Sequence, residues 1–297
     1  MASLKDVSLK IAGVRKTKQI TKAMYMVSSA KLRGAQQRIE RFRPYADKFY
    51  QLLESLSANA GGSAHPLLED RADKKVCAIL LVTSDRGLCG GFNTNLLHKA
   101  RDLKKAKEAE GRKVVFYCMG RKGRDGARKS GAEILQGIAD KMGTFDFALA
   151  GRLGSDLIND YLAGKVDEVV AVYSRFVSMA RQIPEALPLL PVQRAAPGEA
   201  AKDAGKGESA RMDYIYEPEM ESLLAELMPR FIKAQVYRSL LETSCSEHAA
   251  RMAAMDNATR NCDDLVASLT LLYNKTRQAS ITNDLIDIVG GAEALKG

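Results

Sequence analysis

The chain has 297 residues, 46% apolar and 27% charged, with a net charge of +9. That is the make-up of a folded chain, not a disordered or fibrous one, and its length allows two domains or one elongated assembly. It holds no run of about 18 apolar residues that would span a bilayer. The opening MASLKDVSLKIAGVRK lacks the apolar core of a secretory leader, so a cytoplasmic setting is expected.

From Leu4 the core-type positions step by three and four residues through Val7, Ile11, Val14, Lys18, Thr21, Tyr25, Ser28, Leu32, Ala35, Ile39, Phe42, Ala46, Phe49 and Leu53 to Leu56. A 3.5-residue period held for about eight heptads is a coiled-coil strand. Ser3 and Asp6 form a plausible capping box, Pro44 sits inside the helix, and Ala60-Gly61-Gly62-Ser63 ends it near residue 59. A connector is expected over 60–75.

From Val76 the period changes. Strands are expected at 76–83, 114–119, 145–150 and 168–176, with helices at 93–110 and 155–162 and a basic helix or loop at 121–131. That alternation implies a small, mostly parallel α/β sheet within a central domain at 76–192. Pro184, Pro188 and Pro191 are expected to break regular structure, and the polar, low-complexity stretch within 193–217 reads as a flexible surface loop.

A second long helix is expected over 218–291. It starts near Pro218, is uninterrupted from about Arg230 after a short piece before Pro229, and stops at Gly290-Gly291. Its register runs Leu224, Leu227, Phe231, Ala234, Arg238, Leu241, Cys245, His248, Met252, Met255, Thr259, Cys262, Val266, Leu269, Tyr273 and Thr276. Two such strands at opposite ends of one chain pair only if the chain folds back, giving an antiparallel two-helix coiled coil. Residues 1–57 carry twelve Lys/Arg against four Asp/Glu, and residues 211–297 nine against thirteen. Opposite signs favour the hairpin weakly. The surplus positive charge fits nucleic acid or a plain solvated face.

The segment Ser84-Asp85-Arg86-Gly87-Leu88-Cys89-Gly90-Gly91-Phe92-Asn93 follows a strand and precedes a helix, where a phosphate loop belongs. One reading is a nucleotide site with Arg86 on the phosphate. The chain has no G-x-x-x-x-G-K-[ST] and no G-x-G-x-x-G. The other reading is a tight structural turn: Gly87, Gly90 and Gly91 supply positive φ, and Asp85 and Asn93 bond backbone amides. Cys89 with His98 makes a weak nucleophile–base pair. The five cysteines read as buried thiols and His248 as a lone core histidine. No catalytic, cofactor or metal set assembles, and the chain is not expected to be an enzyme.

The middle of the first helix places Lys18, Thr21, Tyr25 and Ser28 at core positions beside an apolar stripe of Ile20, Met24 and Val27. Pairing from matched ends sets this stretch against residues 262–276. Two readings stay open there: a local rotation of the packed face, or contact with something beyond the hairpin.

Three motifs then become specific. Ile20-Thr21-Lys22-Ala23-Met24-Tyr25-Met26-Val27 with Ser29-Ala30-Lys31-Leu32, the turn SDRGLCGGFN, and Tyr273–Thr282 (YNKTRQASIT) continuing to Ile288-Val289-Gly290-Gly291-Ala292 resemble the γ subunit of bacterial F-type ATP synthases, over the whole chain and in that family's order. The resemblance implies a terminal coiled coil with a central Rossmann-like α/β domain, acting as a non-catalytic rotor that couples proton flow to ATP synthesis. It implies as partners the α and β subunits, ε, the membrane c-ring, and δ with the stator, and no nucleic acid. It places Lys22, Met24, Arg277, Gln278 and Thr282 at the β-subunit contact, and a foot in roughly 36–46 and 205–225. The photosynthetic branch's central insertion with its cysteine pair has no counterpart at 192–211, so the implied setting is the cytoplasmic face of a bacterial inner membrane.

Overall fold

The computed structural model describes residues 4–59, 65–69, 71, 74–192 and 220–294. The Ser3 cap, the Ala60–Ser63 stop, the whole of the expected loop at 193–217 and the 205–219 part of the foot lie outside them. The elements are α1 (Leu4–Asn59), β1 (Val76–Val82), α2 (Phe92–Ala109), β2 (Lys113–Met119), α3 (Arg121–Lys129), β3 (Glu133–Ile138), α4 (Phe147–Leu162), β4 (Glu168–Phe176), β5 (Gln182–Leu190) and α5 (Met220–Ala294). Two units separate, one of Ala30–Ala250 and one of Met1–Ser29 with Arg251–Gly297.

In the first unit, β1 to β4 run parallel in the order β3-β2-β1-β4, and β5 closes the β4 edge antiparallel. The strands' period of two sorts their side chains onto opposite faces. Ala78, Leu80 and Val82 join Tyr117, Met119 and Tyr173 against α4 and against Leu224, Met228, Ile232, Val236 and Leu240 of α5. Cys77, Ile79 and Leu81 join Phe116 and Cys118 against Phe92, Leu96 and Ala100 of α2 and Ala127 of α3. Helices on both faces are what an almost fully buried parallel sheet requires.

Four expectations fail here. Residues 145–150 are not a strand: Asp146 caps α4, its carboxylate accepting from Leu149 N at 2.8 Å. β3 has no counterpart among the expected strands. Pro184 and Pro188 do not break structure but sit in β5, facing Ser174 and Val170, while Pro191 lies just past the strand's end; an edge strand tolerates residues that cannot donate. Finally, α5 is continuous through Pro229 and runs past Gly290-Gly291. Leu224 and Met228, on the N-terminal side of that proline, are buried in the core, and that packing outweighs one lost helix bond.

The segment leading into β1 is tied down by charge. Arg71 Nη1 donates to Asp167 Oδ1 at 2.8 Å and Arg71 Nη2 to Tyr161 O at 2.6 Å, while Lys75 N and Val76 N donate to Asp167 Oδ2 at 2.9 and 3.0 Å. Burial pushes the Asp167 carboxyl up, but the Arg71 hydrogen bond and the two amides hold it below the ordinary value of 3.8. A carboxylate whose folded value is depressed stabilises the fold fully above its unfolded value, and that contribution is lost as pH falls through the folded value. Asp167→Asn is therefore expected to lower unfolding free energy at pH 7 by roughly 1–2 kcal/mol. In denaturant melts the gap to the parent should close as pH drops below about 4; a gap constant down to acid pH would refute the assignment.

Candidate functional site

The turn after β1 is organised from within. Asp85 Oδ1 accepts from Arg121 N at 2.9 Å and from Asp140 N at 2.8 Å, and Asp85 Oδ2 accepts from Met142 N at 2.9 Å. One carboxylate thus ties the turn to the start of α3 and to the connection between β3 and α4. Asn93 Oδ1 accepts from Ser84 N at 3.2 Å, and Asn93 Nδ2 donates to Cys89 Sγ at 3.2 Å. Ser84 Oγ lies 2.6 Å from Arg86 O and 2.9 Å from Asn93 Oδ1, with one proton for the two. Arg86 and Leu88 point outward, Leu88 being 62% exposed. Positive φ occurs at Gly90 and at Leu88, not at Gly87 or Gly91, so two of the three glycines are not required by φ. A carboxylate already committed to amides at the C-terminal end of the central strand β1 opposes a phosphate there. Burial raises the Cys77, Cys118 and Cys245 thiols to about 12, which leaves them unreactive at neutral pH.

In the unit of Met1–Ser29 and Arg251–Gly297, the two helices lie antiparallel. Val7, Ile11, Val14, Lys18, Thr21, Tyr25 and Ser28 of α1, and Met252, Met255, Thr259, Cys262, Val266, Leu269, Tyr273 and Thr276 of α5, are each buried or half-buried. The register is fixed by a Lys18–Asp263 ion pair and by Thr21 Oγ1 at 2.8 Å from Thr259 Oγ1. The stretch from Lys18 to Ser28 therefore faces the region around 252–263, not 262–276 as expected from matched ends. The ends do not match: α5 has 75 residues and α1 has 56, so α5 overhangs.

The overhang is exposed along its whole length from Ile281 to Ala292. Ile281, Leu285, Ile286, Ile288 and Val289 show 51–67% of their surface to solvent. Their spacing makes a helical stripe that lies beyond the end of the heptad register and is visible in the sequence once the helix is known to continue. On α1 the polar residues stay inward, with Thr21 and Ser28 buried, while Ile20 and Val27 are 60% and 56% exposed. The packed face has not rotated, so the apolar stripe faces out.

Lys22 is exposed and Met24 half-buried. Arg277, Gln278 and Thr282 are exposed, and Thr282 Oγ1 donates to Gln278 O at 2.9 Å. These residues do not converge. With Thr21 opposite Thr259, Arg277 lies roughly 27 Å further along the axis at 1.5 Å per residue. The geometry offers two separate patches on one helix pair, suited to contact with other surfaces and not to enclosing a small substrate.

A family model described as ATP synthase matches residues 3–295. A protein of Nitratidesulfovibrio vulgaris (strain Miyazaki F) named ATP synthase gamma chain is 66% identical over 297 residues, covering all of both chains. One of the same name from Lawsonia intracellularis is 54% identical, again over the full length of both. Among solved structures, the rotor of the Euglena gracilis mitochondrial ATP synthase aligns with a TM-score of 0.65 at 20% identity, over 94% of this chain and 98% of that one. The Tetrahymena thermophila central stalk aligns with a TM-score of 0.58 at 23% identity, over 80% and 99%.

The threonine rung permits a quantitative check. Thr21 Oγ1 also lies 3.0 Å from Lys18 O, and Thr259 Oγ1 lies 2.8 Å from Met255 O. Three contacts share two protons, so two hydrogen bonds form at a time. In either single variant the surviving hydroxyl still donates to its own helix carbonyl, so Thr21→Val and Thr259→Val each remove one of two hydrogen bonds and should each cost about 1 kcal/mol, the double variant costing about their sum. No measurable loss in denaturant melts of either single variant would show that the rung does not hold the pair together.

Proposed function

The chain belongs to the γ-chain family of ATP synthases, and from that premise we propose that it is the central-stalk rotor, turned by the membrane c-ring and acting on the β subunits. The observation that carries the reading is the overhanging end of α5, exposed over a dozen residues with five large apolar side chains among them, while anchored by a hydrogen-bonded helix pair. Three chemically identical catalytic sites can differ only if something asymmetric touches them differently, and a single helix end is asymmetric to all three. A ligand shifts a conformational equilibrium only by its differential contact with the states, and the shaft plays that part for each β subunit in turn.

In this reading Lys22 and Met24 make one β contact and Arg277, Gln278 and Thr282 another, further along the same shaft. ε and the c-ring bind at the foot, and α, δ and the stator complete the complex around it. The chain is non-catalytic. Support comes from the Asp85 turn, whose polar groups are spent on its own backbone. The protein is peripheral on the cytoplasmic face of a bacterial membrane; among the described residues no helix is long and apolar enough to cross one.

The test is ATP-driven proton pumping by the reconstituted complex. Arg277→Ala/Gln278→Ala is expected to lower pumping per ATP hydrolysed several-fold, and Met24→Lys, which puts a charge at a half-buried apolar position of the shaft, to lower it further. Because these side chains are exposed or half-buried, the free chain's melting temperature should move by less than about 2 °C. Parental pumping by both variants would remove the contact assignment. Complexes assembled without this chain that still pump would remove the rotor reading itself.

A further inference from the structure

Between α2 and α3, on the sheet face opposite α5, a groove of about 200 Å³ reaches down to the sheet. Its floor is Leu81 and Phe116, and its walls are Leu97, Ala100 and Ala127. Gly126 keeps the two helices close: a Cβ there would come within 2.5 Å of a Leu97 methyl. Small side chains on both helices leave the space open above the sheet.

The rim has a different character. Arg101, Lys104, Lys105 and Glu108 line the α2 side, three cations against one carboxylate. Lys104 has a carboxylate partner at 3.5 Å in Glu108; Arg101 and Lys105 have none among the described residues. The surroundings add to the field, since α2 carries five basic residues against two acidic ones and α3 five against one.

We propose that this groove binds the anion of a medium-chain fatty acid, with the alkyl chain on Leu81, Leu97 and Phe116 and the carboxylate between Arg101 and Lys105. Charge complementarity selects the head. The rim is cationic, and a neutral head would leave a guanidinium and an ammonium group with solvent alone. The floor selects the tail. Ser130 is the sole uncharged polar side chain in the lining, so a sugar or base would bury polar groups without partners, whereas methylenes need none. Taking each methylene at about the ~30 Å³ share of a water molecule, the space holds roughly six or seven carbons. This site is independent of the shaft contacts and neither supports nor requires them.

The test is a titration of the full-length chain with octanoate, followed by methyl NMR of Leu97 and Ala127 and by calorimetry. Octanoate should give saturable shifts confined to those methyls and their neighbours, while octanol and butyrate bind at least about tenfold more weakly. Arg101→Glu/Lys105→Glu, at exposed positions, should weaken octanoate binding about tenfold with an unchanged melting temperature. Ala100→Leu should fill the groove and abolish binding; since that position is buried, its fold is checked by circular dichroism, and if it unfolds the charge-reversal pair alone decides the matter. Octanol binding as tightly as octanoate, an unaltered affinity in the charge-reversed variant, or no saturable shift below octanoate's micelle-forming concentration would each overturn the proposal.

Discussion

Residues 239–249 of α5 carry most of the central unit's organisation, because they are all buried. Sheet and α4 cover one flank; α1 covers another through the edge-to-face contact of Phe42 with Tyr237, whose ring centroids lie 5.1 Å apart. A helix enclosed on all sides is normally apolar. This one is instead rich in small hydroxyl residues, with Ser239, Thr243, Ser244 and Ser246 all buried. Their use is visible at β4. Ser174 faces Pro184 of the edge strand, which has no N–H to give. Ser246 Oγ donates to Ser174 O at 3.2 Å and Ser174 N donates to Thr243 Oγ1 at 3.3 Å. The prolines that protect the sheet edge thus leave backbone groups that the helix satisfies, and edge strand and helix have to be read together.

The terminal helix pair applies polar groups differently. Lys18 and Thr21 sit at seam positions where Leu or Ile would bury more area. Their gain is definition. An apolar seam is satisfied by several offsets, whereas a hydroxyl pair and an ion pair are satisfied by one. An overhang serves as a mechanical element only if its length is fixed, and the length of the α5 overhang is set by this offset.

The heptad registers were legible because a 3.5-residue period repeated many times averages out local exceptions. Every register position from Leu4 to Phe49 and from Leu224 to Thr276 whose side chain is described is buried or half-buried. Short elements gave no such averaging. Phe147-Ala148-Leu149-Ala150 fits a buried strand or a helix start equally, and the deciding residue was the cap Asp146. β3 has Gln136 and Gly137 within six residues and alternating half-burial, too weak a pattern to find. β5 was hidden because proline was taken as a breaker instead of an edge marker. The helix offset was beyond sequence altogether, since it depends on contacts 238 and 245 residues apart. The residues proposed for the shaft contact were named only through the family likeness; nothing in their burial singles them out.

What the geometry adds to that likeness is the direction of the apolar stripes. The sequence left open whether the polar middle of α1 marks a rotated packing face or a second surface. Thr21 and Ser28 inside with Ile20 and Val27 outside speak against a rotated face and leave apolar groups on the outer surface. Exposing several large apolar groups on a helix pair that could have buried them is unfavourable in water by about 25 cal/mol per Å², and single exposed residues would call for no explanation. Here the exposed residues recur on α1 near Ile20 and along the α5 overhang, while the seam beside Ile20 holds Lys18, Thr21 and Ser28, side chains that gain little from burial. A chain selected to stand alone would exchange the two sets. Holding the apolar groups outside makes sense where a surrounding surface removes them from water, and where many small contacts let that surface slide past without binding at any one angle.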